Sequence, residues 1–273
     1  MDLSNPRLAH AFMRCVAPLK PLRRLPILGE CFSWLGERIV PRSTRTWAQI
    51  ENGPAAGMWL RLNSRTALDT LRGDCEPEVQ DAMQRYLRPG MTFYDLGANN
   101  GFFSLLAARL VGEQGRVMAF EADPEIAARL REHVSRNGFR NITVAERAVW
   151  SDASRVFFER ADPETSPDRG LGHIVSTASS NTIAIEALTL DDFARTSPAP
   201  DFIKCDVEGA EVEVFRGAQW LLAEKHPGIV CEIHSEANRR ALLADLKHFG
   251  YVCKDSTSRQ LLAFPRGRTT YTS

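Results

Sequence analysis

Short apolar runs that end in glycine turns, each followed by a helical stretch, predict an open α/β sheet with parallel strands and helices on both faces. Two stretches carry that prediction. Residues 92–101 (TFYDLGANNG) read as a buried strand that breaks at Gly97. The apolar run 102–110 (FFSLLAARL) that follows consists of good helix formers. Residues 116–120 (RVMAF) form a second short apolar run, ending in Glu121.

In such a sheet the strand-to-helix turns lie at the carboxyl edge, where ligands bind. Gly97 and Gly101 allow a sharp turn and a close approach of the backbone. Asp95 stands near the end of a buried strand, where a carboxylate is costly unless something pairs with it; a bound cation would do so. Glu121 ends the second strand, where a carboxylate can accept hydrogen bonds from a ribose diol. A nicotinamide-binding domain would want G-x-G-x-x-G, whereas this loop reads G-A-N-N-G and lacks the middle glycine. A strand-to-helix turn with no ligand is the blander alternative.

The segment DLGANNG followed by AFE is similar to the cofactor site of class I S-adenosylmethionine-dependent methyltransferases. DLGANNGFFSLLAARLVG, GRVMAFEADP and IKCDVEGAEVEVFRGA together resemble the FkbM family within that class. The resemblance runs from about residue 76 to residue 264. It implies a Rossmann-like class I methyltransferase fold, with a seven-stranded, mostly parallel sheet and an antiparallel C-terminal edge. It implies S-adenosylmethionine as cofactor, held by Asp95, Gly97, Ala98, Asn99, Gly101 and Glu121. Ala148 follows the third strand at the position that passes near the adenine in this class.

Composition agrees with one sizeable globular domain plus additions. The chain has 273 residues, 44% hydrophobic and 25% charged, with a formal net charge of +0. No global field therefore favours nucleic acid as a partner. The six cysteines are scattered and none forms C-x-x-C, which points away from a zinc ribbon or redox motif. Their usage fits a reducing cytoplasm. No apolar run reaches transmembrane length, and the proline-interrupted N-terminus does not read as a signal peptide.

The expected division is an N-terminal extension over 1–57, a methyltransferase domain over 58–265 and a tail over 266–273. Residues 27–39 suggest a short amphipathic helix. It could dock on a membrane surface or a partner, but its mixed polar face favours packing on the catalytic domain or on a second copy in a homodimer. Residues 58–62 alternate like a half-buried strand, with 65–71 as its expected hairpin partner. A helix is expected over 76–87, and Asp123-Pro124 starts another that Asn137-Gly138 ends. Residues 142–145 read as the third strand and 156–158 as an additional one. The stretch 161–180 reads as a long irregular loop around His173, which could act as a substrate-loop base or stand as an ordinary surface histidine. A short helix after residue 188, capped by Thr189 or Asp191, a helix over 237–249 and a terminal strand pair complete the chain.

A second cluster lies at the ends of the fourth and fifth strands. Residues 202–206 (FIKCD) place Lys204 and Asp206 on one face, because residues two apart in a strand share a face. Lysine and aspartate are rarely buried unless paired. In 228–234 (GIVCEIH), Glu232 and His234 share a face in the same way. Neighbouring strands would bring Lys204, Asp206, Glu208, Glu232 and His234 to one rim. A structural ion-pair network is the alternative, with Lys204 and Glu232 neutralising each other.

The expected activity is methyl transfer to a hydroxyl of a small molecule, sugar or glycan, the oxygen preference coming from the resemblance. An N-methyltransferase and a non-catalytic cofactor-binding or interaction protein are the alternatives. Asp206, Glu208, His234 and Lys204 are the candidate catalytic residues. His234 or Asp206 would remove the acceptor proton. A divalent metal on Asp206, Glu208 and His234 is the rival form. The metal-free form is preferred, because two residues on one strand need not aim at one point and Lys204 stands nearby.

Overall fold

A computed structural model describes residues 45–63, 67–161 and 172–267. The amphipathic helix expected over 27–39 and most of the C-terminal tail lie outside the described residues, as does half of the 161–180 stretch. The described residues divide into two compact units, one holding those up to Cys75 and the other those from Glu76 onward.

In the first unit, β1 (Thr46–Gln49) pairs antiparallel with β2 (Trp59–Leu62). The expected partner of β2 was the segment after it, but Leu68–Arg72 is instead a short helix, α1. Leu68 and Leu71 are its buried residues, a helical spacing rather than an alternating one. Gly73 closes α1 at φ 87°, in the left-handed region.

The second unit begins with α2 (Pro77–Tyr86) and β3 (Thr92–Leu96), then α3 (Phe102–Val111), β4 (Arg116–Phe120), α4 (Pro124–Asn137) and β5 (Ile142–Ala145). All five residues of β3 are buried, since β4 and β10 flank it and helices cover both faces. β6 (Ala148–Val149), β7 (Arg155–Glu159), β8 (His173–Val175) and β9 (Thr182–Leu188) follow. Next come α5 (Leu190–Thr196), β10 (Phe202–Cys205), α6 (Glu211–Arg216), a single π-turn over Leu221–Lys225 and β11 (Gly228–Glu232). The unit closes with α7 (Glu236–His248), β12 (Tyr251–Asp255) and β13 (Gln260–Pro265).

Seven strands form the main sheet in the order β12-β13-β11-β10-β3-β4-β5. The five from β11 to β5 are parallel, and β13 runs antiparallel to both β11 and β12. This is the expected Rossmann-like architecture with its antiparallel C-terminal edge. On one face Tyr94, Phe120, Ile203, Phe215, Leu221 and Leu246 belong to a single apolar core. Each such large side chain contributes about 1.5–3 kcal/mol by leaving water.

A smaller sheet, β6-β9-β7-β8, fills the stretch between β5 and α5. Val156, Phe158 and Ile185 form its own apolar layer. Its last strand begins at His173, so that residue is not in an irregular loop. His173 pairs across the sheet with Glu159, its Nε2 3.8 Å from the carboxylate.

Candidate active site

The turn after β3 is shaped by its glycines and by Glu121. Gly97 and Gly101 have φ of 74° and 83°, and Asn99 also adopts the left-handed region at 49°. The amides of Gly97 and Ala98 both donate to the carbonyl of Phe120, at 3.1 and 2.9 Å, which fastens the turn to the end of β4. A Cβ on Gly101 would sit 2.0 Å from Cδ1 of Leu130, so glycine lets α4 pack against the turn.

Glu121 is buried and faces the same turn. Its Oε2 accepts from the amide of Asn99 at 2.8 Å and its Oε1 from the amide of Asp123 at 2.9 Å. Each oxygen keeps a second lone pair for a ligand hydroxyl. Burial pushes the carboxyl up to about 7, against the two amide hydrogen bonds that favour its charged form.

Asp95 is fully buried at the carboxyl end of β3. Ser104 donates to its Oδ2 at 2.5 Å, and Oδ1 lies 3.9 Å from Nζ of Lys204. The cation that Asp95 needs is therefore supplied in part by the protein itself. Burial raises its pKa, with Lys204 and Ser104 opposing. Oδ1 has no hydrogen-bond partner among the described residues.

Lys204 bridges the two clusters. Its ammonium lies 3.3 Å from Oδ2 of Asp206 and 5.0 Å from the centre of the Phe103 ring. Burial alone would lower its pKa, but the charges of Asp206, Asp95 and Glu76 outweigh it and hold the lysine protonated. In the alternative reading Lys204 and Glu232 neutralise each other; here Lys204 sits on Asp206 and Asp95, and Glu232 meets Arg259 at 3.0 Å.

His234 is the centre of the second cluster. Its Nδ1 lies 2.5 Å from Oε1 of Glu211 and its Nε2 lies 3.2 Å from Oε2 of Glu208. Carboxylates of Asp206 and Glu232 stand 3.9 Å from the same Nε2. Hydrogen bonds to Glu208 first and Glu211 second raise the imidazole to about 10. Glu208 adopts φ 50° on the turn between β10 and α6. Asp206, Glu232 and His234 each present a ligand atom within 4.8 Å of the others, a grouping of the right donor types for a divalent cation.

All six turn residues named from sequence thus gather at the β3 and β4 ends, and all four candidate catalytic residues gather at the β10 and β11 ends. Ala148 lies instead in β6, buried and paired with Ala187 of β9, in an apolar cluster that Ala122, next to Glu121, packs against.

The sequence matches the Methyltransferase FkbM domain over residues 95–253. The chain belongs to the FkbM methyltransferase family. An FkbM methyltransferase from Methylobacillus flagellatus is similar in structure, with 20% identity over 73% of this chain and 54% of that one, at a TM-score of 0.47. The arsenite methyltransferase of Halobacterium salinarum is 25% identical over 129 residues, 44% of this chain and 32% of that protein. A protein-L-isoaspartate O-methyltransferase of Aeropyrum pernix is 42% identical over 55 residues, 20% of this chain and 21% of its own. The chain spans about a third or less of the length of these curated relatives.

Three groups in this FkbM-family chain escaped the sequence reading. Ser104 on α3 caps Asp95, and only its place one turn into the helix could have suggested it. Arg160, just past β7, forks onto Asp123 with contacts of 2.9 and 2.7 Å and reaches Glu125 at 2.9 Å. Asp123 carried only the signal of a helix cap, which it also is, accepting from the amide of Glu125. Glu211 carried no signal of its own in the sequence, yet it is fully buried.

Proposed function

We propose that this protein transfers a methyl group from S-adenosylmethionine to a hydroxyl of a small molecule, sugar or glycan. The carrying observation is the line of contacts from Asp95 through Lys204 to Asp206, with His234 beyond it. It sets a nucleoside-binding turn beside a cluster that can take a proton, at the carboxyl ends of adjacent strands.

When bound, the cofactor supplies an activated methyl sulfonium, so the chain's task is to align the acceptor and remove its proton. Asp95, Gly97, Ala98, Asn99, Gly101 and Glu121 line the cofactor turn, with Glu121 receiving the ribose hydroxyls; Ala148 borders the adenine side. Lys204 holds Asp206 in place. An acceptor hydroxyl that displaces Glu208 from Nε2 of His234 removes the larger contribution to that imidazole's proton affinity. Once Nε2 has released its own proton to solvent, its lone pair, or Asp206 beside it, accepts the hydroxyl proton.

The test is incubation with methyl-labelled S-adenosylmethionine and cell extracts fractionated by polarity. Label recovered as a methyl ether supports oxygen transfer. Label on nitrogen, or cofactor binding without any transfer, contradicts it.

A further inference from the structure

We propose that Glu211 is a positioning residue that fixes His234 so that Nε2 is the nitrogen which exchanges a proton with the acceptor. The proposal rests on the reading of His234 as the base. Glu211 opens α6, while His234 follows β11, so the pair ties two separate elements together.

The carboxylate of Glu211 is itself held on every side. Oε1 accepts from the amide of Gly209 at 2.9 Å and lies 2.5 Å from Nδ1 of His234. Oε2 accepts from Nδ2 of Asn238 at 2.6 Å, and the same amide group donates to the carbonyl of Gly209. Burial would raise its pKa, but the bonds from His234, Asn238 and Gly209 outweigh it and keep the carboxyl ionised. An ionised carboxylate can only accept hydrogen bonds, so Nδ1 must carry hydrogen in the neutral ring as well. The lone pair of the neutral ring then lies on Nε2, on the side facing Asp206, Glu208 and Glu232.

The step balances as follows. As an acceptor oxygen forms its bond to the methyl carbon, the carbon–sulfur bond breaks and its electron pair returns to sulfur. The hydroxyl proton moves to Nε2, and the positive charge that appears on the ring is stabilised by Glu211 across Nδ1–H. This is the arrangement by which a buried carboxylate orients a catalytic imidazole in other enzymes, and the wrong tautomer there costs about four orders of magnitude in rate.

The test uses the full chain labelled with ¹⁵N-histidine, with His234 assigned from the spectrum of His234→Gln. The wild type is expected to show a strongly downfield Nδ1 proton that Glu211→Gln loses. Glu211→Asp, with a shorter reach, should lose it in part. Turnover is read as labelled methyl transferred from S-adenosylmethionine to the accepting extract fraction. Glu211→Gln is expected to lose at least about a hundredfold in turnover, with cofactor affinity unchanged, which excludes a merely misfolded protein. An unchanged Nδ1 signal in Glu211→Gln overturns the proposal, and so does full turnover in Glu211→Gln when His234→Gln is inactive. Full turnover in His234→Gln instead overturns the underlying reading of the base.

Discussion

The carbonyl oxygen of Asp206 occupies the space that a side chain on Gly97 would need. A Cβ there would lie 1.8 Å from it. The amide of Asp206 also donates to the carbonyl of Leu96 at 3.0 Å. The end of β10 is thereby pressed against the turn that follows β3, and the two clusters share one wall. Gly97 also has φ 74°, a region that L side chains rarely adopt. Gly97→Ala should therefore cost about 3 kcal/mol or more, the range in which strain and overpacking combine. Urea denaturation followed by circular dichroism checks this, and a midpoint equal to that of the wild type would refute it.

Cofactor affinity should depend on pH through Glu121. Burial, with the neighbouring charges of Asp123 and Asp95, places this carboxyl at about 7 in the free protein, opposed by the amides of Asp123 and Asn99. Arg160 offsets the charge of Asp123. Only the ionised carboxylate accepts from both ribose hydroxyls. Affinity for S-adenosylmethionine should fall as pH drops through about 7 and level off above it. Calorimetric titration across this range reads the effect, and Glu121→Gln should be flat. A wild-type profile equally flat would mean that Glu121 does not receive the ribose.

Turnover should also rise with pH, but over a higher range, through His234. The groups facing it are Glu208, Glu211, Asp206 and Glu232, with Lys204 on Asp206 and Arg259 on Glu232. Hydrogen bonds to Glu208 and then Glu211, opposed by burial, raise the free imidazole to about 10, so at neutral pH it holds its proton. A base must first lose that proton, so kcat/KM should climb with pH toward about 10, whereas kcat should level off earlier once the acceptor displaces Glu208. A kcat/KM that is level across the neutral range would show that His234 is not the base.

Chelation separates the metal-free form from its rival. The rival form placed the cation on Asp206, Glu208 and His234, whereas the donors that converge within 4.8 Å are Asp206, Glu232 and His234; that grouping also has a simpler occupant, the proton on Nε2. Full methyl transfer after exhaustive chelation is expected. Loss of transfer that magnesium or manganese restores would place a divalent cation there, lowering the pKa of the acceptor hydroxyl.

Much of this arrangement was legible in the sequence because it follows from local rules. Apolar runs closed by Gly97 and Asp206 marked strands β3 and β10, and the pleat put Lys204 with Asp206. Asp123-Pro124 and Asn137-Gly138 bracketed α4 at both ends. What stayed hidden depends on contacts between distant segments. The pairing of Glu211 with His234 spans 23 residues and that of Arg160 with Asp123 spans 37. No periodicity encodes such a meeting. The strand at His173 escaped because three residues are too few to show alternation. The segment 65–71 misled because the apolar spacing of α1 covers a single turn.

The most direct measurement is calorimetric titration of S-adenosylmethionine into the wild type, Glu121→Ala and Asp206→Asn, with labelled methyl transfer followed in parallel. The wild type should bind and transfer. Glu121→Ala should bind about ten- to a hundredfold more weakly, the worth of charge-assisted hydrogen bonds to a ribose. Asp206→Asn should bind like the wild type and lose most turnover. Unchanged affinity in Glu121→Ala with its fold intact, or full turnover in Asp206→Asn, would contradict the assignment of the two clusters.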